Sequence, residues 1–168
     1  MHEDNVTYEH TQKGGLAFHA TVLSMVCMAG FFAIPILGIR DAEPSESAAL
    51  WSLWGVALLA EILLLWAALM LRSLTLHIEG WTLYVRFGPG VFRKRFDLDQ
   101  VTACRPVRNT WLHGWGIHWM PGTWVYNIAG YDAVELQMRS GKRVRIGTDE
   151  PDALADAIRS VIMPAPGQ

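Results

Sequence analysis

Hydrophobic and polar positions along this chain fall into two regimes. Residues 16–39 and 48–71 are almost continuously apolar, whereas from residue 73 onward apolar and polar residues alternate. Each apolar run is long enough to cross a hydrocarbon core of ~30 Å at ~1.5 Å per helical residue, and only residues 40–47 separate the two. The pattern predicts a hairpin of two membrane-spanning helices. The polar N-terminal tail before it, residues 1–15, is expected to have no structure of its own.

The alternating regime begins with Leu74, Leu76 and Ile78 on one face of a strand and Thr75, His77 and Glu79 on the other. Gly80 and Gly88-Pro89-Gly90 then turn the chain through strands over 81–87 and 91–98, and a fourth follows at 101–108, where Pro106 suggests an edge or a bulge. Residues 109–124 read as an irregular aromatic stretch, after which strands resume at 125–128, 132–139 and 142–147. Thr148-Asp149-Glu150-Pro151 opens a terminal helix whose apolar stripe is Leu154, Ala157, Ile158, Val161 and Ile162. The predicted fold class is therefore an α+β membrane protein. Its two-helix hairpin is followed over residues 72–163 by an antiparallel β-barrel or sandwich of about seven strands capped by a C-terminal α-helix, and residues 164–168 form a short tail.

Charge orients this arrangement. Residues 1–71 carry two basic and seven acidic side chains, net −5, and residues 72–168 carry twelve basic and nine acidic, net +3. Basic residues near a span stay on the cytoplasmic side, and Arg72, Arg86, Arg93, Lys94 and Arg95 all follow the second run. Both termini are thus expected in the cytoplasm, with the acidic connector outside. The two cysteines, Cys27 and Cys104, fall in different regimes, so no disulfide is expected. A P-loop, a dinucleotide glycine fingerprint, HExxH and a nucleophile elbow are all missing from the sequence, and no enzymatic activity or cofactor is expected. A net +3 with basic and acidic residues interspersed speaks against nucleic acid as a partner.

Three groups of residues stand out as candidate sites. Glu61 lies near the middle of the second span, where a carboxylate needs a partner or a proton. Antiparallel depth matching puts it opposite Val26, with Ser24 and Cys27 the nearest polar side chains and His19 ~10 Å nearer the cytoplasm. A neutral Glu61 bonded to Ser24 or a carbonyl, a contact to a second copy or another membrane subunit, and proton conduction are the three readings open to it. Arg93 and Arg95 alternate onto one strand face, where they could meet the headgroups of an anionic lipid or be merely solvated. Trp111, Trp115, Trp119 and Trp124 recur every four to five residues among glycines. Trp115 is expected in the core, and Trp119 and Trp124, with Trp111 and His113, are candidates for a partner interface. His113 and His118, without a Cys or acidic companion, do not make a metal site.

The strand order after residue 73, the FRKRFDLDQV segment after the third turn and the closing GTDEPDALADAI make this part of the chain resemble the bacterial pleckstrin-homology-like domains, which are often fused to a pair of membrane spans. The resemblance covers Ser73 to about Met163. It implies a binding or scaffolding module without catalysis in the bacterial inner membrane, its partners being the bilayer and either another protein or a second copy. Phosphoinositide-binding relatives carry a basic cluster at the first hairpin. Here that turn reads HIEGW, so inositide recognition is not expected.

Overall fold

The structure is a computed structural model that describes residues 6–33, 44–110 and 114–163. Positions 34–39 of the expected first span, Trp111, His113 and the tail 164–168 lie outside the described residues. The chain divides into two compact units, residues 18–68 and residues 1–17 with 69–168.

The first unit is built from helices α1 (Leu16–Ala33) and α2 (Pro44–Leu71). At 18 and 28 residues they are ~27 and ~42 Å long, and both are long and apolar enough to cross a membrane. Neither has a polar face, and α1 buries no side chain within the chain. A helix apolar all round must be covered by something, and lipid is the cover such length suits.

The second unit is a β-domain with two sheets among the described residues. Strands β1 (Val6–Lys13), β2 (Ser73–Glu79), β3 (Thr82–Phe87) and β4 (Phe92–Asp97) form an antiparallel sheet in the order β1-β2-β3-β4. A 3-10 turn at Leu98–Gln100 leads into β5 (Val101–Arg108), followed by β6 (Gly116–Met120), β7 (Thr123–Asn127), β8 (Asp132–Met138) and β9 (Arg143–Gly147). These form the second sheet, in the order β5-β8-β9-β7-β6. Strand β9 enters between β7 and β8 and runs parallel to β7. The turn that makes room for it is organised by Asn127, whose Oδ1 accepts from the Ala129 N–H at 3.2 Å while its Nδ2 donates to the Gly130 carbonyl at 3.2 Å. That amide fills the space where a Cβ on Gly147 would stand.

The inner faces of both sheets meet in one core. Leu74, Leu76, Ile78, Leu83, Val85 and Phe87 come from the first sheet and Val134, Leu136 and Ile146 from the second, all with no more than 1% of their surface exposed. Helix α3 (Pro151–Ile162), with Pro151 and Asp152 suited to its first turn, buries Leu154, Ala155 and Ile158 there. It packs on β5 and β8, reaches β1 and the 3-10 turn, and so covers one opening between the sheets.

Four expectations change. Among the described residues the domain has nine strands rather than about seven, because β1 and β6 were not visible as strands in the sequence. The second sheet is mixed rather than antiparallel, because β9 runs parallel to β7. No barrel closes among the described residues, because each sheet keeps two free edges. The N-terminal tail is a strand over Val6–Lys13, paired along its length with β2. Its inward positions are Tyr8, His10 and Gln12, too polar to announce a strand. They are nevertheless usable here, because Gln12 is buried and donates to the Ala129 carbonyl at 3.3 Å, and His10 Nε2 lies 2.6 Å from Asp149 Oδ1 at the start of α3.

Candidate functional site

The opening that α3 does not cover lies between β4 and the β6–β7 hairpin. Alternation along β4 sends Phe92 and Phe96 inward, opposite Phe87 and Leu83 of β3, and the parallel register of β7 on β9 puts Trp124 and Tyr126 on the core side with Val144 and Ile146. Tyr126 is the hub. Its ring lies 5.5 Å edge-on from Phe96, 6.4 Å from Phe92 in a stacked arrangement, and 6.5 Å from Trp124, also stacked. Such offset aromatic pairs are worth ~0.5–1.5 kcal/mol each beyond their buried area, so the wall is well fixed. Burial pushes the Tyr126 phenol above its ordinary value.

Because β4 and β6 are both free edges, the sheets part here and leave a cleft of about 580 Å³, lined on the apolar side by Phe92, Phe96, Ile117, Trp124, Tyr126, Met138 and Val144. That volume is in the range of small-ligand pockets. Its rim carries Lys94, Arg95 and Lys142 against the single carboxylate of Asp97. Lys94 pairs with Val85 in register, so its side chain starts from the inward face of the edge strand. Among the described residues no carboxylate is ion-paired to these three cations.

The other face of the first sheet is polar. Register aligns Glu9, His77, Tyr84 and Arg95 in one row and Thr11, Thr75, Arg86 and Arg93 in the next. Thr11 and Thr75 share a hydrogen bond of 2.9 Å, and His77 stands 3.9 Å from both Glu9 and Glu79. A shallow depression of about 300 Å³ runs from this acidic end to Arg86 and Arg93. Its charges are on the surface and screened, and no group of His, Cys, Asp and Glu that could hold a metal occurs among the described residues.

On the far side of the second sheet, Arg105, Glu135 and Arg145 form a row across β5, β8 and β9. Glu135, 4% exposed, accepts from Arg105 Nη2 at 2.6 Å and from Arg145 Nε at 2.8 Å, and Arg145 Nη1 also reaches Asn109 Oδ1 at 3.2 Å. Burial alone would raise the Glu135 pKa, but the two guanidinium groups outweigh it and hold the carboxyl below its ordinary range. With every charge in the row paired, this is a structural fastening.

Each candidate residue now has a place. Trp124 and Arg95, on separate sequence arguments, meet at the cleft, while Arg93 lies on the polar outer face. Trp119 stands directly across from Trp124 in the β6–β7 ladder, and the two are 60% and 42% exposed. Trp115, expected in the core, is instead 41% exposed, because it precedes β6 at the edge of the sheet. In the hairpin Phe32 packs edge-on to Trp54 at 6.0 Å, within one residue of the register that puts Val26 opposite Glu61. Ser24 Oγ donates to the Ala20 carbonyl of its own helix at 2.9 Å, and His19 is exposed with its ring beside Phe18. Glu61 Oε1 has no hydrogen-bond partner among the described residues, and the carboxyl borders an apolar cavity of about 280 Å³ between α1 and α2. From sequence Lys94 was named only among the basic residues that follow the second apolar run, and Lys142 was not singled out. The signal for Lys94 was its phase, a charge among inward apolar positions of a strand, whereas Lys142 is brought in by the β8–β9 turn.

Comparison of the chain with protein-family models, with curated proteins and with solved structures finds no match.

Proposed function

We propose that this protein is a non-catalytic, membrane-anchored binding module whose β-domain holds a protein partner at the cytoplasmic face of a bacterial inner membrane. One observation carries the reading. The chain enters α1 from β1 and leaves α2 into β2, and these two strands are neighbours, paired from Lys13 with Ser73, with the Gly14 N–H donating to the Arg72 carbonyl at 2.7 Å. Helices that cross the bilayer from paired strands must return to the side they left, so a two-span hairpin suits this sheet. Gly14, Gly15 and Arg72 are the whole of the linkers. Two short tethers on adjacent strands restrict the domain to a narrow layer above the bilayer and raise its effective concentration toward anything else there.

The basic residues after α2 support the cytoplasmic side, and the likeness to pleckstrin-homology-like domains rests on the sequence pattern after residue 73 and the closing helix. Trp119, 60% exposed and outside the lining of the cleft, is the side chain best suited to a protein contact, since aromatic side chains dominate binding energy at interfaces. Protease digestion tests the placement: the β-domain is expected to be cut in inverted membrane vesicles and protected in intact spheroplasts, and the reverse pattern refutes it. A photo-crosslinker at position 119 in cells tests the partner. It is expected to give one discrete protein adduct, and lipid adducts alone refute a protein-binding role for this surface.

Glu61 Oε1, which has no hydrogen-bond partner among the described residues, favours a second reading, a small subunit of a membrane complex in which another chain supplies that partner. Glu61→Gln keeps a hydrogen-bonding group and is expected to keep an assembly that Glu61→Leu weakens on a native gel. If both variants migrate as wild type, this reading fails.

A further inference from the structure

We infer that the cleft between β4 and β6–β7 is a binding site for an acidic phospholipid drawn from the surrounding bilayer, with an acyl chain against the aromatic wall and the headgroup at Lys94, Arg95 and Lys142. The inference rests on the membrane anchoring proposed above and adds a ligand to it.

Three features of the cleft define this occupant. Its wall is apolar and aromatic, and an opening of about 580 Å³ leaves Trp124 and Ile117 part-exposed to whatever fills it. A soluble sugar or nucleotide would find few hydrogen-bonding partners on such a wall, whereas a hydrocarbon chain loses nothing there. The rim is cationic, with three basic side chains that have no ion-pair partner among the described residues against the one carboxylate of Asp97, so an anionic head is favoured over a zwitterionic one. Lastly, the domain that holds the cleft is joined to the proposed spans by nothing longer than Gly14-Gly15 and Arg72. Phe92 pairs with Phe87, and Phe87 with Leu74, so the first aromatic of the wall sits in the cross-strand row two residues after Arg72. A lipid of the same bilayer is the amphiphile that reaches this place at high local concentration.

The site differs from the one that Arg93 and Arg95 suggest in the sequence. Arg93 shares its row with Arg86 on the polar outer face and does not line the cleft, whereas Lys94, on the edge strand, borders both the outer depression and the cleft. Contacts of this kind are worth about fivefold in affinity for each basic residue near an anionic surface, so removing three lowers the preference for an acidic lipid by roughly 100-fold.

The test uses the full-length protein in a mild non-ionic detergent, stripped of lipid and offered equimolar phosphatidylglycerol and phosphatidylcholine, with retained lipid read by native mass spectrometry. Wild type is expected to hold one phosphatidylglycerol in preference to phosphatidylcholine. Lys94→Ala with Arg95→Ala and Lys142→Ala, all at exposed positions, is expected to lose that preference at least tenfold, whereas Arg86→Ala with Arg93→Ala keeps it. Ile117→Trp, which fills the cleft without touching its charge, is expected to lower retention of both lipids. Equal retention of the two lipids by wild type overturns the inference, as does an unchanged preference in the triple variant or an equal loss in the outer-face variant. Displacement of the lipid by millimolar glycerol 1-phosphate also overturns it, because the site would then read a free phosphate. Carbonate extraction of native membranes reports the anchoring separately: a chain that stays in the membrane but shows no lipid preference refutes the cleft and leaves the anchoring standing.

Discussion

Replacing Glu135 probes the fastening of the second sheet, and the size of the effect follows from which of its two guanidinium partners is buried. Arg145 is 18% exposed and Arg105 68%, so the two ion pairs differ although both are short. The Arg105 limb is solvated and screened, and Arg105→Ala is expected to cost no more than ~1 kcal/mol. In Glu135→Leu the largely covered Arg145 guanidinium loses its carboxylate while its bond to Asn109 Oδ1 remains, and the loss of a buried charge partner costs ~3–5 kcal/mol. Glu135→Gln retains an oxygen for one of the two bonds and falls between them, at ~1.5–3 kcal/mol, the worth of a charge-assisted hydrogen bond. At roughly 2–8 °C per kcal/mol, thermal unfolding in detergent micelles followed by near-UV circular dichroism separates the three variants. The pH dependence supplies a second check. The Glu135 pKa is lower in the folded domain than its ordinary 4.5, so its contribution is fully present above that value and is lost as pH falls through the folded pKa. The gap between wild type and Glu135→Gln is therefore expected to be constant above about pH 5.5 and to shrink below pH 4.5. A gap that persists undiminished to pH 3, or an Arg105→Ala cost equal to that of Glu135→Gln, refutes the reasoning.

Other expectations follow from particular contacts. Gly88 has φ +55° and its missing Cβ would collide with the Leu69 carbonyl, so Gly88→Ala is expected to destabilise the β-domain by at least ~2 kcal/mol, seen as a lower unfolding midpoint; an unchanged midpoint refutes the close approach. Deleting residues 1–13 removes β1, and the β2 amides that pair with it are expected to lose their protection against hydrogen exchange; full protection in the truncated chain shows that β1 is dispensable. Burial pushes the Cys104 thiol up to about 11, only partly offset by Arg159, so in a Cys27→Ala background at pH 8 its alkylation is expected to be about 100-fold slower than in the unfolded chain, and a native rate equal to the unfolded one refutes the burial.

The sequence by itself determined whatever depends on local periodicity. Two unbroken apolar runs can only be helices that need an apolar surround, and the alternation of Leu74, Leu76 and Ile78 or of Val134 and Leu136 can only be strands with one face covered. Gly88-Pro89-Gly90 and Ser140-Gly141 marked turns for the same reason, and the stripe from Leu154 to Ile162 marked α3. Tertiary structure decided what depends on a partner far away in the chain. Strand β1 has too few apolar residues to be read from its own pattern, and it becomes a strand because β2 offers a free edge sixty residues later and Ala129 and Asp149 accept its polar groups. In the same way, β6 is hidden among glycines and tryptophans until β7 pairs with it. The cleft illustrates the same division. Its aromatic residues were conspicuous one by one, but Phe92 and Lys94, Tyr126, and Lys142 lie on three stretches 16 to 50 residues apart, and only the insertion of β9 between β7 and β8 and the free edge of β4 bring them together.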